Sequence, residues 1–229
     1  MQKISTQTLK FLTILMVPLI IVPGVVRLLT TDQYLTFEYG KSDFPKDIYG
    51  FDQDQRFNHA SDNLRYVVDN KPSTFLAAQK HGDAPLYTTR EVSHMQDVQN
   101  VFQGVWNLWW IGIALFFICG LVLTFLKQAR RFIAGALKTG GLVTIGMFAI
   151  LGISAAVAWQ AWFVLFHRFL FVEGSWLFSY TDTLIRLFPQ QFWFDSAVTV
   201  SSLSLLAGFL VYILGCAISP KDISVRPAI

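Results

Sequence analysis

The chain has 229 residues, 53% of them hydrophobic and 14% charged, whereas a soluble domain carries about a quarter charged residues. The net charge is +3, and the sequence has no basic tract of the kind that follows a phosphate backbone, so nucleic acid is not expected as a partner. Most acidic residues fall within residues 31–100, and four other stretches are nearly uncharged, which is typical of a membrane protein with one sizeable extramembrane segment.

Four apolar runs are long enough to cross a bilayer, which takes a helix of about 20 residues. We therefore predict an all-α membrane protein, a single membrane domain over residues 1–229 that forms a four-transmembrane-helix bundle. The predicted spans cover residues 11–29, 101–126, 140–166 and 197–218.

The first run has two interpretations. Lys3 and Lys10 precede an apolar stretch, as in a secretory signal peptide. No Ala-x-Ala cleavage pattern follows, because Val26-Arg27-Leu28 occupies that place, so we favour a retained anchor. Pro23 is expected to kink this helix near its outer end.

Basic residues in the short connections predict the orientation. They lie at the N-terminus, between the second and third spans, and in the C-terminal tail, where one acid, Asp222, accompanies them: Lys3, Lys10, Lys127, Arg130, Arg131, Lys138, Lys221 and Arg226. With four spans all three segments share one side, and the positive-inside rule makes that side cytoplasmic. Residues 31–100 and 167–195 are then outside, and both termini are cytoplasmic.

The first outer segment is predicted to be a mixed extracytoplasmic region. Alternation over residues 34–39 favours a short strand, and residues 54–69 favour a helix with a capping box at Asp52 and Gln55. A second capping box at Thr88 and Glu91 starts a helix that runs without interruption into the second span.

The second outer segment is too apolar for a free loop and too polar to span. Phe and Trp residues recur through it, and Asp182 is placed to cap a short helix whose Leu184, Leu187 and Phe188 form an apolar face. We interpret it as an interfacial aromatic segment. Its rings either line a site for acyl chains or only anchor the loop, and their pattern favours neither use.

Two histidines are candidates for chemistry. His94 lies about two turns before the second span and His167 directly after the third, so the topology brings both to the same depth. Imidazoles titrate near neutral pH and suit a general base and a general acid. Asp97 is spaced to orient His94, and Asp182 or Asp195 to orient His167. The alternative is that both histidines are hydrogen-bonded anchors.

Other chemistries find less support. A zinc site built from His94, Asp97 and His167 lacks any His-Glu-x-x-His motif or cysteine pair, so no metal and no cofactor is expected. Ser93 and Ser175 lie outside any Gly-x-Ser-x-Gly motif. The last three spans carry few polar residues, which disfavours a transporter.

Several motifs together resemble the bacterial lipoprotein intramolecular transacylase family, Lit. They are Ser93-His94-Met95-Gln96-Asp97-Val98, Phe166-His167-Arg168-Phe169-Leu170-Phe171, Ser175-Trp176-Leu177-Phe178, and Asp182 to Pro189 with its Leu-Phe-Pro ending. Tyr39, Asp43-Phe44-Pro45, Tyr49-Gly50-Phe51 and Arg56 match the family's first outer segment. The resemblance covers nearly the whole chain.

The resemblance implies an acyltransferase of the bacterial cytoplasmic membrane with its active site at the outer leaflet. Such an enzyme moves the sn-2 acyl chain of a diacylglyceryl lipoprotein to the α-amino group of its N-terminal cysteine, giving the lyso-form lipoprotein. His94 and His167 match the family's two histidines, and Arg168 or Trp176 is expected to stabilise the oxyanion.

We also expect five residues to contact the substrate: Arg56, Tyr49, Phe171, Arg186 and Asp195. The expected partners are the lipoprotein and membrane lipids, and the chain is expected to be a monomer. The alternative is a non-enzymatic lipid- or lipoprotein-binding membrane protein, which would not depend on either histidine.

Overall fold

The computed structural model describes residues 6–125 and 129–220. Within these ranges the chain forms nine helices and one antiparallel β hairpin. The elements in chain order are α1 (Thr6–Leu29), α2 (Asp32–Tyr39), α3 (Gln53–Val68), α4 (Thr74–Ala77), β1 (Lys80–His81), β2 (Ala84–Pro85), α5 (Thr89–Thr124), α6 (Ala129–Val157), α7 (Trp159–Leu170), α8 (Thr183–Leu187) and α9 (Gln190–Ala217).

Four helices, α1, α5, α6 and α9, are long and apolar enough to cross a membrane, which confirms the predicted number. At 1.5 Å per residue, the 36 residues of α5 extend about 54 Å, well beyond a hydrocarbon core of about 30 Å. The charged residues of α5 all precede Val101. The first three turns of α5 therefore stand outside the apolar layer, and His94 lies there.

The predicted third span is divided into two helices. α6 begins at Ala129 and ends at Val157, where Ala158 adopts φ −134° and ψ 49° and breaks the helix. The amphipathic helix α7 begins at Trp159, and its rings stack along one side, with Trp162 against Trp159 and Phe166. The hydropathy is uniform across the break at Ala158, so the sequence pattern does not predict it.

Helices α6 and α9 pack with their backbones in contact, which glycine makes possible. A Cβ added at Gly141 would stand 2.6 Å from the Gly208 carbonyl oxygen, and one added at Gly215 would stand 2.9 Å from the Ala134 carbonyl oxygen. Small residues at such crossings allow the close van der Waals contact that drives helix association in a bilayer. This pair is the most extensively packed among the four long helices.

Helix α1 crosses both α5 and α6. The Trp109 indole Nε1 donates a hydrogen bond of 2.8 Å to the Ile20 carbonyl oxygen, close to Pro23, which lacks an amide hydrogen. Arg27 lies over the Trp106 ring at 5.7 Å. These contacts join the C-terminal half of α1 to α5.

Residues 32–88 and 171–189 form a polar cap at one end of the four long helices. Its core is aromatic and aliphatic, and it draws on both segments: Tyr34, Leu35, Tyr39, Phe44, Phe51, Tyr66, Leu76, Leu86, Leu184, Leu187 and Phe188 are all buried. The two segments therefore fold as one unit.

The predicted strand over residues 34–39 is wrong, because this stretch is helix α2. Thr31 caps the helix by accepting a hydrogen bond from the Tyr34 amide, and the buried face is Tyr34, Leu35, Glu38 and Tyr39. That spacing is helical, and packing against α3 overrides the β propensity of the sequence.

Both predicted capping boxes are present, at Asp52 with Gln55 for α3 and at Thr88 with Glu91 for α5. The short helix predicted after Asp182 is α8, and its Leu184, Leu187 and Phe188 are buried. The Asp182 carboxylate, however, accepts from the Ser179 amide and does not cap α8.

Several residues behind the predicted orientation lie outside the described ranges: Lys3, Lys127, Lys221 and Arg226. Of the described basic residues, Arg130 donates to the Ile218 carbonyl oxygen at 2.7 Å. This bond links the start of α6 to the end of α9, at the bundle end opposite the cap.

The α6–α9 contact predicts a strong difference between two glycines of α6. Gly141→Ala forces its new methyl against the α9 backbone and should cost about 1–3 kcal/mol of stability, whereas Gly146→Ala meets nothing within 4 Å and gains helix propensity. Thermal unfolding in detergent measures both. Equal melting temperatures for the two variants would contradict the close packing.

Candidate active site

His94 is held in the second turn of α5, directly after the capping box. Its side chain is 9% exposed and lies between two aromatic rings, with centroids 5.0 Å from Phe171 and 5.4 Å from Phe178. Both phenylalanines belong to the segment that follows α7. The site therefore forms where α5 meets the cap.

His167 lies in the last turn of α7. Its Nδ1 is 2.8 Å from the Phe163 carbonyl oxygen, which can only accept, so Nδ1 carries the hydrogen and Nε2 keeps a free lone pair. The imidazole also packs on the rings of Phe163 at 4.0 Å and Trp176 at 4.9 Å. Its orientation is thus fixed by α7 and by the segment after it.

The two imidazoles share one neighbour. The Phe171 ring centroid is 5.0 Å from that of His94 and 5.6 Å from that of His167. The rings predicted to lie at one depth therefore lie in one site, on helices that are more than 60 residues apart in the chain.

Two buried polar atoms of this site have no hydrogen-bond partner within the described residues. They are Nδ1 of His94 and Nε1 of Trp176, whose side chain is 8% exposed. A buried polar atom without a partner is costly and needs an explanation. Bound substrate would supply partners, since the indole N–H suits a carbonyl oxygen and His94 can accept or donate according to its tautomer.

Burial keeps both imidazoles neutral. Burial, with a smaller contribution from the nearby His167, lowers the pKa of His94 to about 4. Burial also lowers the pKa of His167, although the bond to the Phe163 carbonyl opposes this. Both groups are uncharged at neutral pH and available to accept a proton.

The carboxylates predicted to orient the histidines do not contact them. Asp97 is half-buried and makes no hydrogen bond or ion pair within the described residues. Asp182 accepts from Ser179, and Asp195 pairs with Lys41 at 2.9 Å. The carbonyl of Phe163 performs the orienting role for His167.

Arg168 lies away from the two imidazoles. Its side chain is 60% exposed and pairs with Glu173 at 3.2 Å. Of the two residues expected to stabilise an oxyanion, only Trp176 has its donor buried beside His167.

Three residues expected to contact substrate lie within the cap. Arg186 makes two hydrogen bonds of 3.0 Å to Asp47, and its guanidinium lies over Phe51 at 3.7 Å and Tyr49 at 5.8 Å. Burial alone would raise the pKa of Asp47, but the bonds from Arg186 and the Phe51 amide lower it. The positive charge of Arg186 is thus paired with the carboxylate of Asp47 within the cap.

Arg56, also expected at the substrate, is 5% exposed and donates to the carbonyl oxygens of Pro45 and Arg186. Tyr39 donates to the next carbonyl, that of Leu187. These donors satisfy carbonyl groups at the C-terminus of α8, which a five-residue helix cannot satisfy itself. A positive charge also suits this end of the helix dipole.

Glu91 holds the other end of α8, a role that the sequence does not reveal. One carboxylate oxygen accepts from the Leu184 amide at 2.8 Å, and the other accepts from the amide and hydroxyl of Thr88 at 2.8 and 2.9 Å. The side chain is 1% exposed. The sequence predicts only the capping box, and the bond to Leu184 spans 93 residues.

Two further bonds fasten the same segment to the start of α5. The Thr183 hydroxyl donates to the Leu86 carbonyl oxygen at 2.5 Å, and Arg90 donates to that of Leu177. The Arg90 guanidinium also lies over the Phe178 ring at 5.0 Å. The segment that carries Phe171, Trp176 and Phe178 is thereby attached one turn before His94.

Within the described ranges, no group of three or more His, Cys, Asp or Glu side chains is arranged to hold a metal ion. The described part of the site offers instead two neutral imidazoles, one indole N–H and an apolar aromatic wall. This set can move protons and bind a carbonyl oxygen beside acyl chains.

Comparison with known proteins gives three findings. The family described as "Lipoprotein intramolecular transacylase Lit" matches residues 11–193. An uncharacterized protein of Aquifex aeolicus is 30% identical over 193 residues, which are 82% of this chain and 84% of that protein. A solved structure of Lit from Bacillus cereus covers 93% of this chain and 95% of its own, with a TM-score of 0.72 at 21% identity.

A second structure of the Bacillus cereus protein, with one histidine substituted, matches with a TM-score of 0.62 at 24% identity and covers 91% of each chain. At these identities the two structures show that the fold is shared. The family assignment is carried by the sequence match.

The attachment of α8 predicts unequal effects for two neighbouring substitutions. Glu91→Ala leaves the Leu184 amide buried without an acceptor and should cost about 1–3 kcal/mol, with faster amide hydrogen exchange over residues 171–189. Thr88→Ala keeps the bond to Leu184 and should change exchange only near the start of α5. Matching exchange in both variants would contradict this role of Glu91.

The lowered pKa of His94 predicts acid sensitivity. Between the unfolded value of about 6.5 and the folded value of about 4, the unfolded chain binds the proton that the folded chain excludes. Stability from this group is complete above pH 6.5 and should fall by about 2 kcal/mol at pH 5. The melting temperature of His94→Gln should therefore drop less between pH 7 and 5 than that of the wild type, and equal drops would contradict the shift.

Proposed function

The chain belongs to the lipoprotein intramolecular transacylase family Lit, and from this membership we propose that it moves the sn-2 acyl chain of a diacylglyceryl lipoprotein to the α-amino group of the same N-terminal cysteine. The chain is a multi-pass membrane protein with four apolar helices. The product of this reaction is the lyso-form lipoprotein, with one acyl chain on nitrogen and one on the glyceryl group.

The observation that carries the proposal is that His94 and His167 pack on one aromatic ring. Acyl transfer from an ester to an amine needs one proton removed from nitrogen and one delivered to the departing oxygen. Two adjacent imidazoles supply both transfers without a protein nucleophile.

The neutral amine attacks the ester carbonyl and gives a tetrahedral oxyanion, and one imidazole takes the proton from nitrogen. That imidazole, now a cation, passes a proton to the other imidazole. The carbon–oxygen bond to the glyceryl group then breaks, the second imidazole gives its extra proton to the departing oxygen, and both rings are neutral again.

Two features support this chemistry. Amine and ester belong to one molecule, so holding them in position replaces a bimolecular encounter. The unpartnered indole N–H of Trp176 is our candidate donor to the oxyanion, where removing one donor commonly costs about a hundredfold in rate or more.

The proposed setting is the bacterial cytoplasmic membrane with both termini in the cytoplasm. Arg130, Arg131 and Lys138 lie at the end of the bundle away from the cap and support that side as cytoplasmic. The cap and the two histidines then face the outer leaflet, where diacylglyceryl lipoproteins are anchored. We propose that the enzyme works there as a monomer among membrane lipids.

The test is expression in a bacterium that makes only diacylated lipoproteins. Substrate and product are isomers of equal mass, so the readout is the fragment spectrum of the N-terminal lipopeptide together with loss of its reactive amine. We expect an N-acylated cysteine. His94→Ala and His167→Ala should each reduce conversion at least about a hundredfold, because each removes a proton-transfer group.

His81→Ala is the matched control, since this exposed histidine lies in the β hairpin of the cap, against Phe51. Membrane level and melting temperature of each variant separate lost chemistry from lost folding. Unchanged lipopeptides in the presence of well-folded wild-type protein would overturn the proposal. Full conversion by both active-site variants would overturn the two-histidine mechanism, whereas binding of the diacylated lipopeptide without any conversion would favour a non-enzymatic lipid- or lipoprotein-binding role.

A further inference from the structure

Phe171 differs from the neighbouring phenylalanines in the number of histidines that it contacts. It contacts both imidazoles, whereas Phe178 contacts His94 and Phe163 contacts His167. It follows α7 at the point where the chain leaves the helix, and its backbone amide donates to the His167 carbonyl oxygen at 2.8 Å. The backbone of Phe171 is therefore joined to the last turn of α7, which carries His167, while its ring packs on His94 as well.

The segment after Phe171 holds this ring in place. Gly174 has φ +84°, a conformation that side chains other than glycine rarely adopt, and there the chain turns back toward α5. Arg90 then donates to the Leu177 carbonyl oxygen and lies over the Phe178 ring. Phe171 and Phe178 consequently cover His94 from two directions.

An acyl ester beside two imidazoles has two possible acceptors, the substrate amine and water. The same proton transfers serve both, because water also loses a proton as it attacks and the glyceryl oxygen still receives one. The polar groups of the site in the described part of the chain, two imidazoles and one indole N–H, serve the amine and water alike. Selection must come from what the apolar wall admits, since closed apolar sites suppress hydrolysis.

We propose that Phe171, supported by Phe178, determines the acyl acceptor by keeping water away from the carbonyl carbon between the two imidazoles. This inference rests on the proposed transacylase function. When substrate enters, its glyceryl group and acyl chain make apolar contacts that replace those between the Phe171 ring and the site walls. A water molecule is too small to replace these contacts, so its entry leaves the ring and the walls without partners.

Without this aromatic cover, the protein would act as an ester hydrolase. In the hydrolytic reaction, water adds to the sn-2 carbonyl, and the bond between the carbonyl carbon and the glyceryl oxygen breaks. The glyceryl oxygen takes one proton, and the fatty acid leaves as a carboxylate with the second proton released. The lipopeptide keeps its free α-amine and loses the sn-2 chain.

The experiment uses the purified full chain in detergent micelles with a synthetic lipopeptide that carries an S-diacylglyceryl cysteine at its N-terminus, in water enriched in oxygen-18. Mass spectrometry measures the N-acylated isomer and the free fatty acid that contains one oxygen-18 atom. For Phe171→Ala we expect the ratio of labelled fatty acid to N-acyl product to rise about tenfold or more.

Three further variants sharpen the result. Phe171→Leu keeps an apolar cover and should stay close to the wild type, whereas Phe178→Ala uncovers His94 from the other side and should also release labelled fatty acid. Phe169→Ala removes a ring that is 86% exposed and should leave the ratio unchanged. Adding His94→Ala to Phe171→Ala should abolish both products, which ties the hydrolysis to this site.

The outcomes separate the two proposals. A wild-type protein that makes no N-acyl product overturns the transacylase function, and with it this inference. A wild type that makes the product, together with Phe171→Ala and Phe178→Ala variants that release no labelled fatty acid, overturns the role of the ring alone. Equal ratios for Phe171→Leu and Phe171→Ala also overturn it, because water exclusion depends on side-chain volume.

Discussion

The site depends on how the protein holds α8, a helix of five residues that cannot be stable alone. Glu91 accepts from its N-terminal amide at Leu184, and Arg56 and Tyr39 donate to its carbonyls at Arg186 and Leu187. Each charge complements the helix dipole at its end. Since Glu91 also caps α5, one buried carboxylate fixes the register between the helix that carries His94 and the segment that returns from His167.

Among the four long helices, α6 and α9 make the most extensive contact. α6 and α9 touch through their backbones at Gly141 and Gly208. α5 is joined mainly to α1 and reaches α7 through the cap. His94 on α5 and His167 on α7 come together where these helices meet the cap, around the Phe171 ring.

Features set by residues close together in the chain were predictable from the sequence, whereas contacts between residues far apart in the chain were not. The four apolar helices and the boxes at Asp52 and Thr88 follow from spacing within one turn. Residues 34–39 alternate like a strand, yet α2 forms because tertiary packing outweighs propensity. For the site, the sequence predicts the common depth of the two histidines through topology. It assigns the orienting role to aspartates, whereas His167 is oriented by a backbone carbonyl that no sequence pattern marks.

Burial among aromatic side chains determines the charge state of the two imidazoles. Burial among these rings lowers the pKa of His94 and keeps it neutral, and its Nδ1 and the Trp176 Nε1 have no hydrogen-bond partner among the described residues. A soluble hydrolase fixes its histidine with a carboxylate, which would favour the charged imidazolium. Here Asp97, Asp182 and Asp195 all stay away from the imidazoles, so neither ring is held as a cation between turnovers. In the proposed reaction, the protons then come from the substrate amine and return to the substrate oxygen, as a transfer within one molecule allows.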